Sequence, residues 1–422
     1  VEAVGEKRYK VVVLLMHANT LVMGIGFFML IPILNNYLVN GLGMATAMVG
    51  YITGVRFLGQ DLTSIFLGAV GDKIGCKRAM VIGAAIRMFG LFLCGFMGDF
   101  WGFFLSSFFV GLGGALFVPS CYSYYDLLAN DQNRTSLFSM REMLNNCGNI
   151  VGPAVGTFLM VMGFRWVCIV SAGVFALTIA LSIFLLPDLK AAEKNGAAPA
   201  QTSAMETVRT CLKNKTYILF LLITAITTGL MSQKDLTIPT RIKAIDPNYA
   251  YVGFIYTLAS VIGVAVQLPL VKWCKQHLHA NESLALANIL YGVGLAIMGF
   301  VPALPALYVG TVIFTLGQMI YQPVRNMQVT DFAEPGKVGA YYGFQGTSLA
   351  AGTVLGNFLS GYLYDLAESP ALRYLPWVVW CALAAMACVL FWKFLKGMPT
   401  RDLPIYRTGA AKAPPLKGAK RD

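Results

Sequence analysis

Apolar residues run along this chain in long blocks separated by short polar breaks. The blocks lack the two-residue alternation of a half-buried strand and are far longer than a core strand. Twelve of them can cross a bilayer as a helix, which takes about 20 residues. They cover 11–38, 46–71, 79–98, 101–126, 135–163, 165–187, 214–242, 250–272, 281–300, 303–330, 338–367 and 373–396. Several are longer than a single crossing needs, so tilt or extension beyond the lipid is expected. Membrane β-strands would be segments of about ten residues with alternating polarity, and no part of the chain reads that way.

The longest polar stretch, 188–213, divides the blocks into six and six. Its Ala, Gly, Pro, Ser and Thr content suits a linker with one short amphipathic helix. The expected organisation is a first six-helix bundle at 1–187, the linker at 188–213, a second bundle at 214–400 and a basic tail at 401–422. The halves repeat at a constant offset of 204 residues. Gly113 and Pro119 in block four match Gly317 and Pro323 in block ten. Gly148 and Gly152 in block five match Gly352 and Gly356 in block eleven. Parallel six-span halves joined by a long loop are a transporter architecture, with the site near the midplane between them.

Composition narrows the class. Hydrophobic residues make up 57% and charged residues 12% of the chain, against about 25% charged in a typical soluble domain. That excludes an ordinary soluble enzyme, a disordered protein and a nucleic-acid binder. The net charge of +12 sits in the breaks rather than in a basic patch. One set of loops carries Lys7, Arg8, Lys10, Lys73, Lys77, Arg78, Arg134, the linker cations, Lys272, Lys275, Lys337 and the tail, whereas the alternate set carries only Arg165, Arg241, Lys243 and Arg373. The positive-inside rule then predicts a multi-pass plasma-membrane protein with both termini cytoplasmic. The basic N-terminus leads into a block too long for a signal-peptide core, so it reads as the first span. Nine cysteines occur without CxxC, CxxH or HExxH spacing, and there are three histidines. No disulfide framework, metal site or cofactor is expected.

Between blocks two and three the chain reads Gly68-Ala-Val-Gly71-Asp72-Lys73-Ile74-Gly75-Cys76-Lys77-Arg78. The glycines suit close helix packing and a tight turn. Asp72 can cap a neighbouring helix N-terminus or pair with an arginine, and Lys77 and Arg78 suit the headgroup level. The segment resembles the loop signature of the major facilitator superfamily. Block five, with Gly148, Gly152, Pro153 and Gly156, resembles the span-five signature of that superfamily's proton-coupled drug antiporters, with Thr157 in place of a trailing glycine. Gly24, Gly26 and Pro32 are similar to the same branch's first span. Across its length the chain is similar to the MdtH-type group of multidrug transporters. The resemblance implies an all-α membrane protein with the major facilitator fold, 12 transmembrane helices in two pseudo-symmetric six-helix bundles. It also makes Asp126 a gating partner of the loop cations Lys73, Lys77 and Arg78. Two positions depart from the branch: Phe108 stands where it often has an arginine, and Asn19 where the pattern has an acid.

Ionisable groups inside spans mark function by default. The deep ones are His17, Arg56, Asp61, Arg87, Arg141, Glu142, Lys234, Asp235 and Arg325. Asp61 and Arg87 lie at nearly equal depth, so they form either a structural pair or a proton or cation site. Arg56 and Asp61, five residues apart, point about 140° apart on an α-helix. Asp61, Glu142 and His17 are the proton-coupling candidates, with Asp61 ranked first for its depth. Asn19, Arg56, Gln318, Tyr321, Arg325 and Gln345 are candidates to line the substrate cavity, and Lys234 and Asp235 suit an external gate. The expected function is secondary transport, by proton-coupled efflux of amphipathic drugs or small organic molecules. A metabolite uniporter or symporter is the alternative. The expected partners are a small-molecule substrate, protons and the lipid bilayer, with no nucleic acid, and the expected unit is a monomer. An enzyme is disfavoured by the lack of a GxSxG elbow, a zinc motif or a soluble catalytic domain.

Overall fold

The computed structural model describes residues 6–130, 133–189, 204–245, 250–334, 337–367 and 369–394. Among them there is no strand. A backbone in hydrocarbon must bond within its own segment, and helices satisfy that requirement. The helices are α1 Glu6–Asn36, α2 Thr46–Phe57, α3 Ser64–Ile74, α4 Cys76–Cys94, α5 Phe100–Leu128, α6 Arg134–Met160, α7 Phe164–Leu185, α8 Ala204–Lys213, α9 Lys215–Ile245, α10 Ala250–His277, α11 Ala280–Phe300, α12 Leu304–Phe332, α13 Val338–Leu366 and α14 Leu375–Phe394. Each apolar block lies on helix. The second is interrupted by a π-helical turn at Leu58–Leu62, so α2 and α3 together form one span. The short linker helix is α8; the rest of the central loop, 190–203, and the tail from 395 lie outside the described residues.

Seven of these helices, among the described residues, are long and apolar enough to cross a membrane by length and composition alone. The sequence expectation of twelve counted blocks that this stricter measure passes over, for a physical reason. Helix α4 carries Lys77, Arg78 and Arg87, and α6 carries Arg141, Glu142, Asn145, Asn146 and Asn149. The deep charges of these helices, Arg87, Arg141 and Glu142, are buried against other helices, whereas Arg78 and Asn149 are exposed.

The repeat is visible in the contacts. A Cβ on Gly113 would stand 2.5 Å from the Gly83 carbonyl oxygen and from the Arg87 nitrogen; one on Gly317 would meet Ala287 and Tyr291, the residues at the same offset. Gly90 packs on Ser106 and Val110 just as Gly294 packs on Gly310 and Phe314. The span-five glycines behave alike in both halves: Gly148, Gly152 and Gly156 let α6 touch the α1 backbone, and Gly352 and Gly356 let α13 touch α9 around Ala225 and Gly229. Backbones this close are the usual product of small residues at helix interfaces. Helices α1–α7 thus pack mainly on one another, as do α9–α14, and the two groups meet where α13 crosses α3 and α5 and where α6 crosses α10 and α12.

Candidate functional site

The groups meet along the end of the molecule that carries the Lys- and Arg-rich turns, here called the basic end. Gly75, with φ +93°, makes the tight turn from α3 to α4. This turn leaves Asp72 pointing at the first turn of α13, where its Oδ1 accepts from the Gly339 N–H at 2.8 Å and its Oδ2 from the Ala340 N–H at 2.9 Å. Ser123 Oγ donates to the same carboxylate at 3.4 Å. A carboxylate on an uncapped helix start satisfies orphan N–H groups and opposes the helix dipole. One turn earlier, Gly68 lies directly on the Gly339 carbonyl, and Ser64 Oγ donates to the Gly343 carbonyl oxygen at 2.9 Å. Thr347 Oγ1 then donates to the Asp61 carbonyl oxygen at 2.9 Å. The loop cations stay outside this seam. Lys73 and Arg78 are exposed, and Lys77 Nζ donates to the Ile183 carbonyl oxygen at the end of α7.

Asp126 does not meet those cations, which corrects the role the resemblance implied. Its Oδ1 lies 3.8 Å from Arg134 Nη2. Arg134 is fully buried and reaches across to the other helix group, pairing with Asp331 and donating to the Met327 carbonyl oxygen at 2.7 Å. Asp331 lies in the last turn of α12, just past block ten, and sequence reasoning passed over it.

Deeper in, a second cross-group cluster forms around Glu142. Its Oε1 accepts from Arg141 Nη1 at 2.6 Å, from Tyr122 OH at 3.0 Å and from Asn326 Nδ2 at 3.0 Å. Asn326 Nδ2 also donates to Tyr122 OH, while Asn326 Oδ1 accepts from Arg325 Nη2 at 3.1 Å and from Gln345 Nε2 at 3.2 Å. Tyr342 stacks on Tyr122 at 4.2 Å, and the Arg141 guanidinium lies 3.7 Å from the Tyr122 ring centre. Each of these side chains is buried. Tyr122 and Asn326 are repeat equivalents, as are Arg141 and Gln345, so the cluster stands where the two halves face each other across their pseudo-symmetry. Sequence reading singled out Glu142, Arg325 and Gln345 but not Tyr122 or Tyr342. The signal that would have found Tyr122 is the repeat offset itself, because equivalent residues near such an axis must meet.

The other candidates lie apart. Asn19 faces α7, with Nδ2 3.3 Å from Ser182 Oγ, and Tyr321 is turned into its own half against Tyr291. Asn19 does not join the cross-group cluster, whereas Tyr321 borders it, with the Arg325 guanidinium 5.5 Å from its ring centre. Gln318 is half-buried on α12, beyond the cluster toward the opposite end. His17 Nδ1 is 3.0 Å from Tyr125 OH. Lys234 is half-buried on α9, and the side chain of Asp235 lies outside the described residues.

The π turn rearranges span two. Arg87 donates to Gln60 Oε1 at 2.7 Å and to the Val110 carbonyl oxygen, so its hydrogen bonds go past Asp61, with which it keeps an electrostatic attraction. A π turn inserts one residue into the helical register, which brings Gln60 onto the α4 face. It also stacks residues five apart, so Arg56 and Asp61 interact electrostatically where an unbroken helix would separate them. The Arg56 guanidinium rests on the Phe57 and Phe27 rings.

The model of the Major Facilitator Superfamily matches residues 16–276 and 235–420. The chain is 28% identical over 361 residues to the multidrug resistance protein MdtH of Aeromonas salmonicida (strain A449), covering 86% of this chain and 89% of that one. It is 27% identical over 380 residues to the protein of the same name from Shigella sonnei (strain Ss046), covering 90% and 93%. Among solved structures, the human organic anion transporter MFSD10 superposes with a TM-score of 0.75 at 16% identity, covering 91% of this chain and 99% of that one. FucP, a transporter of the same superfamily in the outward conformation, superposes with a TM-score of 0.70 at 12% identity and the same coverage. With the signature loop, the 204-residue repeat and the family match in agreement, this chain belongs to the Major Facilitator Superfamily and is a secondary transporter.

Proposed function

We propose that this transporter is a proton-driven exporter of amphipathic small molecules in the bacterial inner membrane, with both termini cytoplasmic. The name carried by its MdtH relatives, multidrug resistance protein, supports that substrate class. In this reading the bundles at 1–187 and 214–400 rock about the linker at 188–213, the basic end is the cytoplasmic end, and one chain is the working unit. Gly68, Asp72, Gly75 and their partners on α13 latch the cytoplasmic side, while Gly148, Gly152, Pro153 and Gly156 set the α1–α6 packing.

The observation that carries the proposal is the triple acceptor at Glu142 Oε1, which takes one of its hydrogen bonds from the opposite half. An ionised carboxylate only accepts; a protonated one carries a donor. Protonating Glu142 from the outside therefore weakens the bonds from Arg141, Tyr122 and Asn326 together and loosens the halves at the cytoplasmic end. The proton then leaves to the cytoplasm and substrate enters. Re-ionisation restores the network and turns the cavity outward. A cycle in which protonation opens one side and ionisation closes it is an antiport cycle. Asp61 ranks second, because its link to the opposite half runs through its main-chain carbonyl rather than its carboxylate.

The test is uphill movement of a fluorescent lipophilic substrate by purified protein in liposomes under an imposed pH gradient. Glu142→Gln is expected to lower proton-driven accumulation at least tenfold, while downhill exchange persists. Unchanged uphill transport with wild-type pH dependence would remove Glu142 from the mechanism and make Asp61 the coupling candidate.

A further inference from the structure

We infer that the transported molecules carry an anionic group, a carboxylate or a sulfonate, and that Arg325 receives it. The inference rests on the reading of this chain as an exporter of amphipathic small molecules and assigns those molecules a charge. The cluster between the halves holds two guanidinium groups and one carboxylate. Glu142 is taken by Arg141, in an ion pair at 2.6 Å. Arg325 forms no ion pair among the described residues. Its hydrogen bonds run from Nε at 3.3 Å and from Nη2 at 3.1 Å to one neutral oxygen, Asn326 Oδ1. That amide oxygen also accepts from Gln345 Nε2 and brings no charge. With Glu142 ionised, the cluster therefore keeps one unmatched positive charge, on a side chain only 8% exposed. A charge left unmatched inside a membrane protein is costly, and such residues mark substrate and ion paths.

The geometry leaves a place for the anion. A guanidinium is a planar fork that can meet a carboxylate along its side, through Nε and Nη2, or at its end, through Nη1 and Nη2. Asn326 occupies the side and fixes the plane of the group. Nη1 has no hydrogen bond among the described residues, and it is not sealed from solvent as Arg134 Nε and Arg141 Nε are. The end of the fork thus opens on accessible space, free to bond both oxygens of a carboxylate. The Tyr321 ring, its centre 5.5 Å from the guanidinium carbon, borders this place. A bound anion completes two pairs of opposite charge while Glu142 is ionised, which is the loaded form of the export cycle above. The first bundle has the same sign of imbalance. Arg56 and Arg87 share the attraction of one carboxylate, Asp61, and the Arg56 guanidinium, 7% exposed, rests on two phenyl rings without a hydrogen bond among the described residues. At both places the carboxylate is already engaged by arginine, which leaves none over for a cationic substrate.

The experiment is equilibrium dialysis of the purified full chain in detergent, with empty micelles as the blank, against naphthaleneacetate and its neutral isostere naphthaleneacetamide. The wild type should bind the carboxylate about 10–100-fold more tightly than the amide, the range of a charge-assisted, two-point contact. Arg325→Gln should bring the two affinities within about threefold while leaving amide binding unchanged, which also shows that the variant is folded. Arg325→Lys keeps the charge without the fork and should fall between them. Equal affinities in the wild type, no saturable binding of the carboxylate, or a preference that survives Arg325→Gln overturns the proposal. If Arg325→Gln loses both ligands, Arg325→Lys decides, and a preference as large as that of the wild type overturns it. No membrane or pH gradient enters this assay. Its failure leaves proton coupling to the liposome experiment, and failure there leaves the charge preference standing.

Discussion

At one cross-group interface α13 begins against the end of α3; at its repeat-related counterpart α6 begins against α10 and the end of α12. In the first, backbones touch through Gly68, Gly339 and Gly343, and the Asp72 carboxylate caps the incoming helix. In the second, the positions equivalent to Gly68 and Asp72 are Lys272 and Gln276, both exposed. There the incoming helix is fastened by Arg134, which bonds Asp331 and the Met327 carbonyl, and a cavity of about 40 Å³ remains beside Thr135, Val271, Lys275 and Asp331. That volume holds water, not a substrate. The difference teaches that duplication supplied the frame, while each interface acquired its own fastening. One is held by close backbone contact and a helix cap, the other by a buried ion pair.

The heaviest blow to this comparison is Arg134→Gln. Arg134 is the cation shared by Asp126 and Asp331, and removing one partner of a buried pair costs about 3–5 kcal/mol. For a chain of this length that is a fall in melting temperature of about 3–6 °C. Differential scanning fluorimetry in detergent reads it, and Arg134→Lys should recover part of the loss. A fall below about 1 °C would mean that the buried ion pair is not what fastens the second interface, and the contrast between the two interfaces would disappear.

How far the sequence reaches is itself uneven across these interfaces. The helices were legible because hydrocarbon dictates their length, and the repeat because glycines at contacts cannot drift. Asp72 was legible as a fastening residue, to cap a helix or to pair with an arginine, and the structure has it capping α13. The π turn was not. An α-helical period was assumed through Leu58–Leu62, and one inserted residue exchanged Gln60 for Asp61 opposite Arg87. The Arg134–Asp331 pair was hidden for a different reason: it joins residues from opposite halves, and no local pattern reports such a contact. The cluster around Glu142 falls between these cases. Its members looked unrelated until the 204-residue offset placed Tyr122 against Asn326.

Gly68→Ala tests the first interface directly. Its Cβ would enter the Gly339 carbonyl, which is backbone and cannot move aside as a side chain can. Overpacking of this kind costs about 1–3 kcal/mol, charged here to the closed form alone, because the two groups separate when the basic end opens. Uphill transport should fall about tenfold or more, with melting temperature changed by only a few degrees. Lys272→Ala, at the repeat-related position, should leave transport within about twofold of wild type, because that side chain is exposed. Equal effects at the two positions would show that the interfaces do the same work.

Asp72→Asn is the finest of the three tests. The amide keeps an oxygen that can accept from Gly339 or from Ala340, but not from both with separate oxygens, and it loses the charge that opposes the α13 dipole. Caps of this kind are worth about 1 kcal/mol, so the closed form should weaken about fivefold and transport should slow by a similar factor. Substrate affinity, measured by binding to the purified protein, should stay within about twofold, because the bonds of Asp72 go to α13 and Ser123 and none goes to Glu142, Arg141 or Asn326. If Asp72→Asn instead abolished binding while the protein kept its melting temperature, the carboxylate would be touching substrate. The α3–α13 seam would then be part of the binding surface rather than the fastening that closes it.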